Sequence, residues 1–263
     1  MPLNELRALL CDLDGVLYVD DAALPGAIEA VATLRELGLG LRFCTNTTTR
    51  TREEVAGRIA ALGFDITAAE ILTAPRAAAS YLRRSGLTAC RLVLREAVKQ
   101  EFAGLEAAAG TSPEAVVLGD IGDRWNHALL EEIFGQLMDG AELVALHRGR
   151  YWQAEGRLAL DIGLYVAGLE HATGRQATVC GKPAPSFFQA ALDELGVTAA
   201  QAAMVGDDIE SDVGGGQASG LGGVLVRTGK YRAQHAARSA VRPDLVVADI
   251  AELAARLAGK PHP

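Results

Sequence analysis

The sequence predicts an α/β fold: a doubly wound parallel sheet with a second α/β unit inserted into it. Three observations carry that expectation. Short, continuously apolar runs alternate with stretches of helical apolar spacing, the pattern of parallel strands joined by crossover helices. Polar residues follow several of the apolar runs directly, and open parallel sheets bind ligands beyond the carboxyl ends of their strands. The middle stretch, residues 77–178, carries its own strand and helix signals, which leaves 1–76 and 179–263 as the outer unit.

The elements follow in order. Ala8 to Cys11 is an apolar run, as expected of a strand covered on both faces. Ala27 to Leu37 has helical spacing at Ile28, Val31, Leu34 and Leu37, and Gly38 stops it. Leu39 to Cys44 reads as the next strand and runs into Thr45-Asn46-Thr47. Thr51-Arg52-Glu53-Glu54 is a capping box, followed by Val55, Ile59 and Leu62 on one face and a terminal Gly63. Inside the insert, residues 91–94, 115–120 and 142–146 read as strands. The outer pattern resumes with Ala177 to Cys180, a helix from about Ser186 to Leu195, and strands in 203–208, 222–229 and 244–249. A last helix ends near Gly259.

Bulk properties narrow the function. At 263 residues the chain builds one or two domains, and 49% hydrophobic with 22% charged residues is an ordinary globular composition. A formal net charge of −8 argues against nucleic acid or an anionic membrane as partner. No apolar run approaches the ~20 residues of a membrane span, and no leader segment opens the chain, so a cytoplasmic location is expected. Cys11, Cys44, Cys90 and Cys180 are scattered, without zinc spacing, and read as buried free thiols.

The strand ends carry the chemistry. The first ends in Asp12 and Asp14, the second in Thr45 and Asn46, the third is followed by Lys182, and the fourth ends in Asp207, Asp208 and then Asp212. Crowded carboxylates raise one another's pKa unless a cation joins them. Magnesium suits them, since it prefers oxygen and leaves positions for water and a substrate phosphate. Asp12 is placed to attack phosphorus, giving an aspartyl-phosphate. Asp14 is placed to protonate the leaving group and then to activate water. Lys182 would offset the charge, and the Thr45 hydroxyl with nearby N–H groups would hold phosphate oxygens.

With those residues on the page, DLDGVLY, CTNTT, GKPAPSFF and GDDIESDVGGGQASG resemble, in order, the four signature motifs of the haloacid dehalogenase superfamily. The insert resembles the α/β cap of its NagD-like subgroup. The resemblance implies a Rossmann-like core, a phosphatase activity and a Mg2+ cofactor. It implies Asp12 as nucleophile and metal ligand with the Leu13 carbonyl beside it, Asp14 as acid/base, and Asp207 as the other carboxylate ligand. Thr45, Asn46, Thr47 and Lys182 would bind the phosphoryl group, and Asp14, Asp208 and Asp212 are further metal-site candidates. The presence of Asp14 favours phosphoryl transfer over halide displacement. A cap favours small phosphorylated substrates, and a narrower resemblance within the subgroup points to pyrophosphate and phosphoamide (phosphohistidine or phospholysine) bonds. Another small metabolite phosphate (sugar, nucleotide or pyridoxal), phosphotransfer to a second substrate, and a non-catalytic phospho-sensor are the alternatives. Pairing into a homodimer is left open.

Several features read more plainly. Leu118-Gly119-Asp120 is expected to be a strand-end turn; Asp123, with Arg124, is open between facing the cleft and capping a helix, and His147 is read as a surface residue ahead of one pointing toward substrate. Tyr151 and Trp152 are expected to pack within the insert, and Asp161 to cap the helix that follows it, with substrate contact as its second reading. Gly214, Gly215 and Gly216, each costing roughly 1 kcal/mol in a helix, suggest close backbone packing.

Overall fold

The computed structural model describes residues 5–154 and 157–259, with side chains left aside over 151–158. Its contacts divide the described residues into two compact units: 5–45, 52–72 and 182–259 form one, and 46–51 with 73–154 and 157–181 the other.

The first unit is built on a six-stranded sheet. Its strands are β1 (Ala8–Asp12), β2 (Gly40–Thr45), β3 (Ile71–Thr73), β4 (Ala202–Gly206), β5 (Gly222–Val226) and β6 (Leu245–Val247). Their order across the sheet is β6-β5-β4-β1-β2-β3. The pairs β1–β2, β1–β4, β4–β5 and β5–β6 are parallel. The chain therefore winds outward from β1 in one direction, then restarts at β4 on β1's other side. That reversal opens a crevice at the carboxyl ends of β1 and β4, where such sheets hold ligands. All residues of β1, β4 and β5 are buried, which explains their unbroken apolar runs.

Helices cover the sheet largely as their spacing predicts, with one rotation of face. Ala27–Glu36 buries Ala27, Ala30, Val31 and Leu34, whereas Ile28 and Leu37 are 37% and 43% exposed. The stripe that meets the sheet is thus centred about one residue from the expected one. Arg52–Ala61 turns Val55 and Ile59 inward, with Leu62 packed against the same core. Pro185–Leu195 and Ile250–Leu257 complete the layers. The strand β3 is too short, at three residues, to stand out in the sequence.

The second unit has a four-stranded parallel sheet in the order Thr178–Val179, Glu142–Ala145, Ala115–Leu118, Cys90–Val93. Helices Ala74–Arg84, His127–Met138 and Gly163–Thr173 pack with it, and Tyr151–Ala154 pairs with Arg157–Leu160 as an antiparallel hairpin. The sequence spacing puts the strand before Lys182 in the outer sheet, but Thr178–Val179 pairs with Val144 and Ala145 of this sheet. A two-residue strand carries too little pattern to identify its partner, and only pairing decides it.

The plainer features also divide. Asp120 does close a turn, accepting from Gly122 N at 2.8 Å. His147 is not a surface residue: its side chain is 15% exposed and Nε2 lies 3.3 Å from Asp161 Oδ1. Neither Asp123 nor Asp161 caps a helix by its side chain; Asp161 accepts from Ile162 N at 2.7 Å, one position before the helix boundary. The expected packing of Tyr151 and Trp152 falls on side chains outside the described residues. All four cysteines are buried and free. Among the described residues no helix is long and apolar enough to cross a membrane.

Candidate active site

Because β1 and β4 are neighbours, Asp12 at the end of β1 and Asp207 just past β4 lie side by side, although far apart in the chain. Asp212 joins them by a local device. After β4 the chain makes a wide helical turn, Ile209–Gly214, opened by Asp208, whose Oδ1 accepts from Glu210 N and Ser211 N, both at 3.0 Å. This turn brings Asp212 back until its Oδ2 accepts from Asp208 N at 3.3 Å. Asp12, Asp207 and Asp212 can each offer a carboxylate oxygen, all within 4.8 Å of one another. Their residues are 6%, 2% and 1% exposed.

Lys182 bridges two of the three. Its Nζ lies 2.8 Å from Asp12 Oδ1 and 2.8 Å from Asp212 Oδ1. Burial opposes its charge, yet Asp12 and Asp212 outweigh burial and hold the ammonium above its usual pKa. Close packing behind it fixes the position: a Cβ on Gly215 would stand 2.7 Å from Pro183, the residue after Lys182. That is the close backbone approach which the glycine run suggested.

Asp207 sits in a cradle that only glycine permits. A Cβ on Gly15 would lie 2.0 Å from Asp207 Oδ2 and one on Gly229 2.1 Å from it, and both glycines have positive φ, 87° and 58°. Lys230 N donates to Asp207 Oδ2 at 2.6 Å, and the Thr228 hydroxyl donates to Gly15 O, tying the loop after β5 to the turn after β1. Burial, helped by the charge of Asp12, pushes Asp207 up to about 6. Burial and Asp12 also raise Asp212, against the pull of Lys182.

Three acids against one lysine leave an excess of negative charge, and Asp207 Oδ1 is buried with no hydrogen-bond partner. An orphaned carboxylate oxygen inside an all-oxygen donor set fits a hard divalent cation. Among the described residues, Asp12, Asp207 and Asp212 are placed to hold it.

The remaining sequence-named residues fall as follows. Asp14 is exposed at the turn after β1; partial burial and the charge of Asp12 raise its carboxyl, against Lys230. Asp14 and Asp208 stand outside the three-acid group, and the Oδ1 of Asp208 is committed to capping. The Leu13 carbonyl, expected beside a metal, accepts from Leu17 N at 2.9 Å and from the amides of Val16 and Tyr18. A tight turn needs that oxygen, and residue spacing does not reveal it. Thr45 ends β2, next to Asp12's in-register partner Cys44. Asn46 and Thr47 belong to the second unit, where Asn46 Oδ1 lies 3.0 Å from where a Gly181 Cβ would be. The sequence reading gives Thr228-Gly229-Lys230 no site role, although a Thr-Gly-Lys run after a strand is a legible signal of a backbone amide cradle.

Sequence models of two described groups match the chain: "haloacid dehalogenase-like hydrolase" over residues 9–107 and "HAD-hydrolase-like" over 179–253. The human haloacid dehalogenase-like hydrolase domain-containing protein 2 is 42% identical over 228 residues, 87% of this chain and 86% of that protein. The human phospholysine phosphohistidine inorganic pyrophosphate phosphatase is 39% identical over 256 residues, 95% and 93% of the two chains. Among solved structures, NagD from E. coli K-12 superposes with a TM-score of 0.85 at 27% identity, over 94% of this chain and 98% of NagD. The glycerol phosphate phosphatase of Mycobacterium tuberculosis in complex with magnesium gives 0.83 at 31% identity, over 99% and 81%.

Proposed function

Because this chain is a phosphohydrolase that belongs to the haloacid dehalogenase-like hydrolase family, we propose a magnesium-dependent phosphatase that works through an aspartyl-phosphate on Asp12. One observation carries the reading: Asp12, Asp207 and Asp212 converge within 4.8 Å, with Lys182 2.8 Å from two of them. Asp12, Asp207 and Asp212 would hold magnesium, which when bound supplies charge neutralisation for the transferring phosphoryl group.

The rest is done by the chain. An Asp12 carboxylate oxygen attacks phosphorus, and the bond from phosphorus to the leaving oxygen or nitrogen breaks. The leaving atom takes the proton of the Asp14 carboxyl, whose raised pKa supports an acid role. Asp14, now ionised, takes a proton from water as its oxygen attacks the same phosphorus. The bond between phosphorus and Asp12 breaks, releasing orthophosphate and the free carboxylate. Lys182 holds the nucleophile and offsets charge throughout. Thr45 at the end of β2 is proposed to hold a phosphoryl oxygen, with Asn46 and Thr47 following it.

For the substrate, the name of the 39%-identical relative supports pyrophosphate and phosphoamide bonds in small compounds, with residues 77–178 setting specificity as a cap. Four buried free thiols and the acidic balance support a cytoplasmic enzyme.

The test is turnover of p-nitrophenyl phosphate, pyrophosphate and phosphohistidine by purified protein, with magnesium or with chelator. We expect activity only with the metal, and a loss of about 10⁴-fold in Asp12→Asn. Undiminished turnover in Asp12→Asn overturns the nucleophile, and full activity in chelator overturns the metal.

A further inference from the structure

Beside Asp207 the first unit contains a cavity of about 290 Å³, walled by Asp208, Ile209, Lys230, Tyr231, Arg232 and His235 as well. Its acidic walls are turned to other tasks. Asp207 Oδ2 accepts from Lys230 N, and Asp208 Oδ1 accepts from two amides. Its basic walls come from one short stretch. Tyr231 anchors that stretch by packing against the cluster of Ile209, Val213 and Leu225. Arg232 Nη1 donates to Gly229 O at 3.1 Å and to Tyr231 O at 2.8 Å, which fixes the guanidinium over the loop. Three exposed basic residues, Lys230, Arg232 and His235, thus line the cavity next to Asp207 of the acidic cluster.

A phosphomonoester of an uncharged alcohol carries negative charge only on the transferred group, which Lys182 and the three-acid metal site already serve. A substrate with a second phosphoryl group needs more, because negative charge grows on that group as the bridging bond breaks. We propose that this cavity is a subsite for the second, non-transferred phosphoryl group of a pyrophosphate-type substrate, with Lys230 and Arg232 as its binding residues. The inference rests on the phosphatase reading above and adds to it two residues of the first unit that favour a second phosphoryl group, beside the specificity set by residues 77–178.

The test reads binding, so it stands apart from turnover. Magnesium-loaded protein is titrated calorimetrically with methylenediphosphonate, whose P–C–P bridge is not hydrolysed, and with orthophosphate. The wild-type protein should prefer the diphosphonate about ten- to hundredfold, in line with a charged hydrogen bond or two. Lys230→Met should remove most of that preference, Arg232→Met part of it, and Lys230→Arg should retain it. Equal affinity of the wild-type protein for both ligands overturns the subsite, as does an unchanged preference in both methionine variants. Failure of the phosphatase reading would appear separately, as unaltered turnover in Asp12→Asn.

Discussion

The dipeptide Gly-Asp stands at the carboxyl end of a fully buried parallel strand twice in this chain, at Gly206-Asp207 and at Gly119-Asp120. Locally the two look alike. Asp207, however, is enclosed by Gly15 and Gly229, shares its surroundings with Asp12 and Asp212, and keeps an unpartnered oxygen. Asp120 accepts from the amide of Gly122 and pairs with Arg95 at 3.1 Å, with 28% of its side chain exposed. Asp120 finds its partners in its own turn and in Arg95, just past the neighbouring strand Cys90–Val93. Asp207 is left with a demand that its fold does not meet. A strand-end aspartate becomes a candidate for chemistry when neighbouring strands deliver like charge to it, not by its own motif.

Replacing each aspartate should separate the two most sharply. Asp207→Asn is expected to lower kcat/KM at saturating magnesium by about 100-fold or more, since several kcal/mol of charge stabilisation depend on the metal site. Asp120→Asn should stay near wild type, and steady-state kinetics on p-nitrophenyl phosphate would decide. Equal losses would erase the distinction.

The glycines give the next largest contrast. An alanine at Gly15 meets Asp207 Oδ2 at 2.0 Å in a left-handed backbone, whereas at Gly122 the nearest atom is Arg95 Nη2 at 3.9 Å. Gly15→Ala combines overpacking with the αL penalty, about 2–5 kcal/mol in all. Gly122→Ala carries only the αL penalty, about 1–2 kcal/mol. Melting curves should place the first roughly 5–15 °C below wild type and the second a few degrees below.

A third contrast is pH. The folded-state pKa of Asp207 is raised from 3.8 to about 6, so the folded protein holds a proton that the unfolded chain gives up. This contributes stability that is fully present below the ordinary carboxylate value and lost as pH rises through about 6. Metal-free protein should therefore lose melting temperature over that window, more in wild type than in Asp207→Asn. Added magnesium should raise it more above the window than below, because protons compete for the same oxygens. A flat profile in both proteins would refute the crowding of charge.

The smallest effect belongs to Asp120→Asn on stability. An exposed pair and one turn hydrogen bond are worth about 0.5–1.5 kcal/mol together, a shift of only a few degrees.

Much of the site was legible. The DLD run at the end of an apolar strand, the isolated lysine after Gly181 and the Gly-Asp-Asp run each marked a strand end or loop with a chemical group, and Asp12, Lys182, Asp207 and Asp212 do meet. What could not be read was the division of labour among acids close in sequence. Asp208 and Asp212 share a motif, yet one caps a turn and the other enters the cluster, because the wide turn of Ile209–Gly214 sets their directions. Lys230 was overlooked because its backbone amide, rather than a charged side-chain pattern, ties it to Asp207.

The sequence by itself determined the α/β class, the strands of the first sheet with long apolar runs, and the residue types from which a charged site is made. Periodicity and composition act locally, over a few residues, so they survive being read along a line. Only the tertiary structure decided which sheet Thr178–Val179 joins, which face of Ala27–Glu36 is buried, and that three carboxylates share one buried volume. Those are matters of pairing, packing and Coulomb repulsion between residues distant in the chain. They exist only once β1 and β4 lie side by side.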